Sequence, residues 1–230
     1  DARALLTAAI PGQLDNRVRD RIVAETGGNP LGLLELARGM SEAELAGGFT
    51  DPPQVSLPGH LQGRLQDQYL RRVQVLPGPA RQLMLLAAAD PTGDATLLWR
   101  AAQKLGLGPD AAAAVDAEQL LDIGSQVRFR HPLVRSAAYA AGSPEDRRAA
   151  HLTLATATDA QADPERRVWH LAAAAVGTDE EVAAGLERVG GRAVARRAYA
   201  AGSRALDRAA RLTPARETAS RRLIAAGRAA

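Results

Sequence analysis

Few residues in this sequence can do chemistry, and most familiar constellations are missing. With no cysteine, disulfide frameworks, thiolate metal sites and thiol nucleophiles are excluded together. The single lysine, Lys104, is followed by Leu105 and has no glycine loop before it, so no G-x-x-x-x-G-K-[ST] phosphate cradle can form. Gly106-x-Gly108-x-x-Ala111 fits the dinucleotide fingerprint only in its letters. It follows a helical pattern instead of a strand, and reads as a helix break and restart. G-x-S-x-G, H-E-x-x-H and acidic calcium-loop patterns are absent from the sequence.

The four histidines are His60, His131, His151 and His170; none lies three or four residues from another, so no single helix presents a metal pair. His60 falls in a Pro/Gly linker and reads as solvent-facing. His151 and His170 fall within helical patterns, where packing is the simpler reading than ligation or catalysis. Glu180-Glu181 occupies a first helical turn, where the helix dipole favours carboxylates without a catalytic role. His131 stands apart, where a strand meets a helix N-terminus whose exposed amides suit an anion. On residues alone it reads first as a helix cap, with a phosphate contact as the alternative. Gly27-Gly28-Asn29-Pro30 likewise reads as a helix stop followed at once by a helix start.

The elements that position these groups are almost all helical. Asp1 caps a short helix ending before Pro11-Gly12, and Asp15 caps a second with Val18, Ile22 and Val23 on one face. Leu31, Leu33, Leu34 and Leu36 follow Pro30, and Ser41-x-x-Glu44 is a capping box for a short fourth helix. Residues 47–59, rich in Gly and Pro, read as a linker. Leu61, Leu65, Tyr69, Leu70 and Val73 then recur at helical steps. Asp94 caps a helix carrying Trp99, and Pro109-Asp110 opens an alanine helix ending near Leu121. The one convincing strand pair is 121–123 with 127–130, joined by Gly124-Ser125-Gln126. His131-Pro132 launches the next helix. Three helices, a hairpin and a closing helix are the ingredients of a winged-helix domain.

From Ser143 onward the pattern is helical throughout, with caps at Ser143-Pro144, Asp163-Pro164 and Thr178-Asp179. Gly190, Gly202, Leu206, Ala209 and Pro214 fall in the small, small, bulky, small and helix-ending slots of a tetratricopeptide (TPR) repeat. The first-helix slots hold Leu186, Val189 and Ala193, a degenerate match. One such unit cannot bury its face alone. The start at Asp1 without methionine and the unterminated Ala/Arg pattern at Ala230 read as a piece of a longer protein.

Composition agrees with this reading. Hydrophobic residues make up 46% and aromatics only 3%; alanine, a strong helix former of small volume, dominates the former. Sheet sandwiches draw on Val, Ile, Thr and aromatics, so all-β is excluded. The pI of 9.9 accompanies a net charge of only +3 from 29 basic and 26 acidic residues. Arg alternates with Asp and Glu along Asp15–Glu25, which argues against dedicated DNA binding by this stretch. The helix from Asp110 to Leu120 is acidic and alanine-filled, so DNA binding through the winged helix is set aside. No apolar run reaches membrane-span length and no leader opens the chain, so a cytoplasmic protein without a membrane partner is expected.

The strings IVAETGGNPLGLLELARGMSEAELAGGF (Ile22–Phe49), LMLLAAADPTGDATLLWRAAQKLG, VRFRHPLVRSAAY and ADPERRVWHLAAAAVGTDEEVAAGLE together resemble, over nearly the whole chain, the large ATP-binding LuxR-family transcriptional regulators of actinobacteria. These are relatives of the maltose-regulon activator and carry a P-loop ATPase of the signal-transduction (STAND) type. The resemblance implies a mainly α chain: a helical lid at 1–46, a linker at 47–59, a winged helix at 60–141, and the start of TPR-like repeats at 142–230. It implies that Gly28-Asn29-Pro30 matches the G-x-P motif whose proline packs on adenine. It further implies that Phe129-Arg130-His131-Pro132-Leu133 matches the motif whose histidine touches the ADP phosphate, with Pro132 in place of an aspartate. ATP or ADP is then the cofactor of the longer parent, a slow switch-type ATPase. The isolated segment, lacking Walker A and B, is expected to bind no nucleotide and to be no enzyme. Implied partners are the parent's own P-loop domain, a small-molecule or protein inducer at the repeats, and DNA only through a C-terminal helix-turn-helix outside this chain. The competing expectation is a free-standing helical-repeat scaffold that binds a peptide or small effector and has no nucleotide role.

Overall fold

The computed structural model describes residues 2–10, 14–26, 28, 30–38, 40, 45 and 59–229. The expected cap at Asp1, the Ser41–Glu44 capping box, Asn29 and linker residues 47–58 lie outside the described residues. Among the described residues the architecture is mainly helical with one small antiparallel hairpin. Three short helices open it: α1 (Ala2–Ala9), α2 (Asn16–Thr26) and α3 (Pro30–Arg38). A hairpin-containing bundle follows, with α4 (Gly59–Gln74), α5 (Gly78–Ala89), α6 (Ala95–Lys104), α7 (Pro109–Ala117), β1 (Leu121–Ile123), β2 (Val127–Phe129) and α8 (Pro132–Ala141). The remainder is helical: α9 (Pro144–Ala157), α10 (Pro164–Ala174), α11 (Glu180–Ala195), α12 (Tyr199–Leu212) and α13 (Arg216–Ala229). Among the described residues no helix is long and apolar enough to cross a membrane.

Several helix starts fall where capping chemistry sets them. Asp15, Asp94, Asp163 and Asp179 each accept a hydrogen bond from the backbone N–H three residues on. Ser143 and Asp146 form a reciprocal capping box on α9. Each such cap stabilises its helix by about 1 kcal/mol. Two boundaries differ from the sequence reading. Helix α4 begins at Gly59, so His60 is its second residue and not part of a linker. The alanine helix stops at Ala117, short of Leu121, because Gln119 turns left-handed (φ 51°) and Leu120 N–H reaches back to the Val115 carbonyl. That turn carries both Leu120 and Leu121 into the core, where each is fully buried.

Leu83, Met84, Leu86, Leu97, Leu120, Leu121 and Leu154 are the large side chains of the main core. Burying each contributes roughly 1.5–3 kcal/mol. Leu154, with Ala150 and Ala157, comes from α9, so the first helix after the bundle shares the bundle's core. The N-terminal helices bury Leu6, Ile22, Leu33, Ala37, Met40 and Leu45 separately, and α2 touches β2.

The loop between α5 and α6 approaches the hairpin through Gly93. Its φ is +69°, and a Cβ there would lie 2.8 Å from the Val127 carbonyl oxygen, so only glycine fits. Val127 N–H in turn donates to the Gly93 carbonyl at 2.8 Å, and Asp94 bridges Gln126.

Helices α11 and α12 form an antiparallel pair, closed where Asp179 N–H donates to the Leu212 carbonyl at 2.7 Å. Their close approach depends on two glycines. A Cβ on Gly202 would lie 2.6 Å from Val194 Cγ2 and 3.2 Å from the Gly190 carbonyl oxygen. Gly202→Ala is therefore expected to destabilise by about 1–3 kcal/mol through overpacking. Gly191→Ala, one residue from Gly190 but in open space, should instead stabilise by up to about 1 kcal/mol. Thermal melting of both variants checks this; equal shifts would mean that the helix contact is looser than the geometry indicates.

Candidate functional site

Gly28 has φ +78° and its N–H donates to the Val23 carbonyl at 3.2 Å, ending α2 as a left-handed helix stop. A Cβ there would meet only Ala2 Cβ at 4.0 Å, so conformation and not crowding calls for glycine. Pro30 is exposed at the first position of α3. His131 is the N-cap of α8, its Nδ1 accepting from Leu133 N–H at 3.1 Å. Its ring stacks on Tyr69 with centroids 5.6 Å apart. Burial lowers its pKa, so the ring is neutral at pH 7. With Nδ1 accepting, the proton sits on Nε2, which is left as a donor. The contact of α2 with β2 brings the helix before Gly28 to the strand that runs into His131.

A second cluster escaped sequence reading. His151 of α9 and His170 of α10 face each other across the helix pair, Nδ1 to Nδ1 at 3.0 Å. Tyr139 Oη lies 3.0 Å from His151 Nε2, and His170 Nε2 lies 3.8 Å from Asp90 Oδ1. His151 is thus flanked on its two ring nitrogens by the Tyr139 hydroxyl and the His170 ring, and His170 in turn faces the Asp90 carboxylate. Burial, with the His170 charge adding to it, pushes the His151 pKa down to about 3 against the opposing pull of Asp90. Burial would raise the Asp90 carboxyl, but His170 and Arg166 beside it hold it well below the usual carboxylate range.

Arg166 completes this cluster. It is 5% exposed and reaches Asp94 at 3.1 Å, Asp90 at 3.5 Å, Asp163 at 3.9 Å and the Thr92 hydroxyl. From the other side, the buried Arg21 of α2 donates to the Pro91 carbonyl and to Met40 Sδ. The five-residue loop Asp90–Asp94 is thus gripped by the N-terminal helices through Arg21, by the hairpin through Gly93, and by α10 through Arg166.

Beside this cluster opens a cavity of about 790 Å³, bordered by α5, α8, α9, α10, α12 and α13. Tyr139, His151 and His170 form part of its wall, and Arg204, Arg208 and Trp169 another. Such a volume suits a metabolite-sized ligand. Elsewhere, buried Arg222 of α13 binds Glu180 at 2.8 and 3.0 Å and Glu187 at 2.9 Å, so Glu180 anchors α13. Among the described residues no group of three or more His, Asp or Glu could hold a metal ion.

The sequence offered one usable signal for the buried cluster: Asp90, Thr92 and Asp94 crowd one short loop. The 19-residue separation of His151 and His170 spans a helix turn and follows no periodic rule. No protein-family model, curated protein or solved structure matches the chain.

Proposed function

We propose that this chain is the regulatory arm of a nucleotide-controlled transcription regulator of the large LuxR type. In this reading residues 1–46 are a helical lid and residues 60–141 a winged helix. Both close over ADP or ATP held by a separate P-loop ATPase domain of the parent protein. The TPR-like repeats from residue 142 receive the inducer, DNA is met by a helix-turn-helix elsewhere in the parent, and the setting is cytoplasmic. The chain itself moves and does not hydrolyse ATP.

The observation that carries this reading is the Asp90–Asp94 loop, which is held at once by the N-terminal helices, the hairpin and α10. A shift of α10 on ligand binding acts on this loop through Arg166, and Arg21 holds the next link to α2 and the Gly28 helix stop. A switch requires such a two-sided contact, whose arrangement each ligand can favour differently. Two further features support it. The order helix α5, Gly93–Asp94 bridge segment, α6, α7 and β1–β2 hairpin is what the winged-helix reading expects, and the close approach of α11 and α12 at Gly190 and Gly202 fits the TPR-like reading. The Nε2–H of His131 also has the polarity a phosphate oxygen needs, with Pro132 leaving that contact to the histidine alone.

The test uses the full parent protein. His131→Asn keeps a good helix cap but removes the imidazole N–H. It is expected to speed ADP release about tenfold and to raise basal transcription, with unchanged melting. Normal ADP retention in this variant would reduce His131 to a cap. The cavity supports a second reading, a helical-repeat scaffold that binds a small effector whether or not nucleotide is present.

A further inference from the structure

The cavity beside the histidine pair has a chemical character of its own. Its α12 wall presents Arg204 and Arg208 one helical turn apart. Arg208 is steered by its hydrogen bond to the Ala172 carbonyl at 2.7 Å. A neutral carbonyl positions a guanidinium without cancelling its charge. Neither arginine has an ion-pair partner among the described residues. Asp207, the carboxylate among the lining residues, is occupied by Arg211 at 2.9 Å. The lining also carries apolar surface from Trp169, Ala172, Ala173 and Leu223. One guanidinium oriented by a carbonyl, a second one turn away, and apolar side chains in the same cavity favour a ligand with a charged end and a hydrophobic body.

The geometry points to a binding site for a small organic anion, a carboxylate, phosphate or sulfonate on an aromatic or alkyl body, with Arg204 and Arg208 reading the anion and the Trp169 side receiving the body. This names the ligand class for the signal-receiving role proposed above, and rests on that reading for its biological meaning though not for its binding. The occupant would lie against Tyr139, His151 and His170, and so against the chain of contacts that ends on Asp90.

The experiment uses the 230-residue chain and two probes of one shape. These are 8-anilinonaphthalene-1-sulfonate, which carries the anion, and N-phenyl-1-naphthylamine, which lacks it. The sulfonate is expected to bind at one saturable site, more weakly as salt rises, and to be displaced by phenyl phosphate or benzoate. Arg204→Gln/Arg208→Gln should weaken it about tenfold or more while leaving the neutral probe unchanged. Ala173→Trp, which fills the cavity from an exposed position, should remove both probes with the helical content intact. Unaltered sulfonate affinity in either variant would overturn the site. So would parallel loss of the neutral probe in the arginine variant, or displacement by an acidic peptide alone. Binding here needs no nucleotide: a negative result removes this site and leaves the switch, which His131→Asn tests separately.

Discussion

Acidifying the protein from about pH 6.5 to about pH 4 is expected to lower its unfolding free energy by on the order of 3 kcal/mol, with His151 as the main cause. In the unfolded chain this imidazole takes a proton near its ordinary value of 6.5; in the folded protein burial pushes that event down to about 3. Between these values the unfolded state binds the extra proton and the folded state does not. Stability is therefore fully present above pH 6.5 and drains away as pH falls toward 3. Asp90, held low in the fold beside Arg166 and His170, adds a loss in the same direction once pH drops below the ordinary carboxylate range. The charged and titratable groups around His151 are Asp90, Arg166, His170, Tyr139 and Arg135. His151→Gln, neutral at every pH, should flatten the slope between pH 6.5 and 4.5 in denaturant titrations. A wild-type curve that is flat over this window, or a variant that keeps the full slope, would sink the assignment.

Arg166→Met should be the most damaging single substitution at the junction, costing about 3–5 kcal/mol. The guanidinium is almost fully buried and sits between Asp90, Asp94, Asp163 and Thr92. Methionine fills comparable space but leaves the Asp90 carboxylate, itself 7% exposed, with its main counter-charge gone. A melting temperature lower by roughly 10 °C follows for a chain of this size. Adding Asp90→Leu to Arg166→Met should restore part of the loss, because removing both charges costs less than stranding one. Purely additive losses in this double-mutant cycle would mean that the two residues act independently. Arg166→Lys should fall between, since an ammonium cannot span Asp90 and Asp94 as a fork does.

These two sites show where sequence reading reaches and where it stops. Helix starts at Asp15, Asp94, Ser143, Asp163 and Asp179 were legible because a cap is a local bond, made within three or four residues. The hairpin was legible because alternation and a glycine turn are local too. The Gly28 stop and the His131 cap follow the same logic. Helix α4 starting at Gly59 and the alanine helix ending at Ala117 were misplaced. At the second of these, burial of Leu120 and Leu121 and the Gln119 turn decide the end, against strong alanine propensity.

By itself the sequence determined a mainly helical chain with one hairpin and no thiol or P-loop chemistry, because composition, caps and periodicity act over a few residues. Only the tertiary structure decided that His151 meets His170 and Asp90, that Arg166 and Arg21 close on one loop from two sides, and that Arg204 and Arg208 line a cavity. The pairs His151–His170, His170–Asp90, Arg166–Asp90 and Arg21–Pro91 lie 19 to 80 residues apart in sequence. What joins them is the burial of apolar faces between helices, which brings charged groups out of water and leaves each to find its partner across the fold.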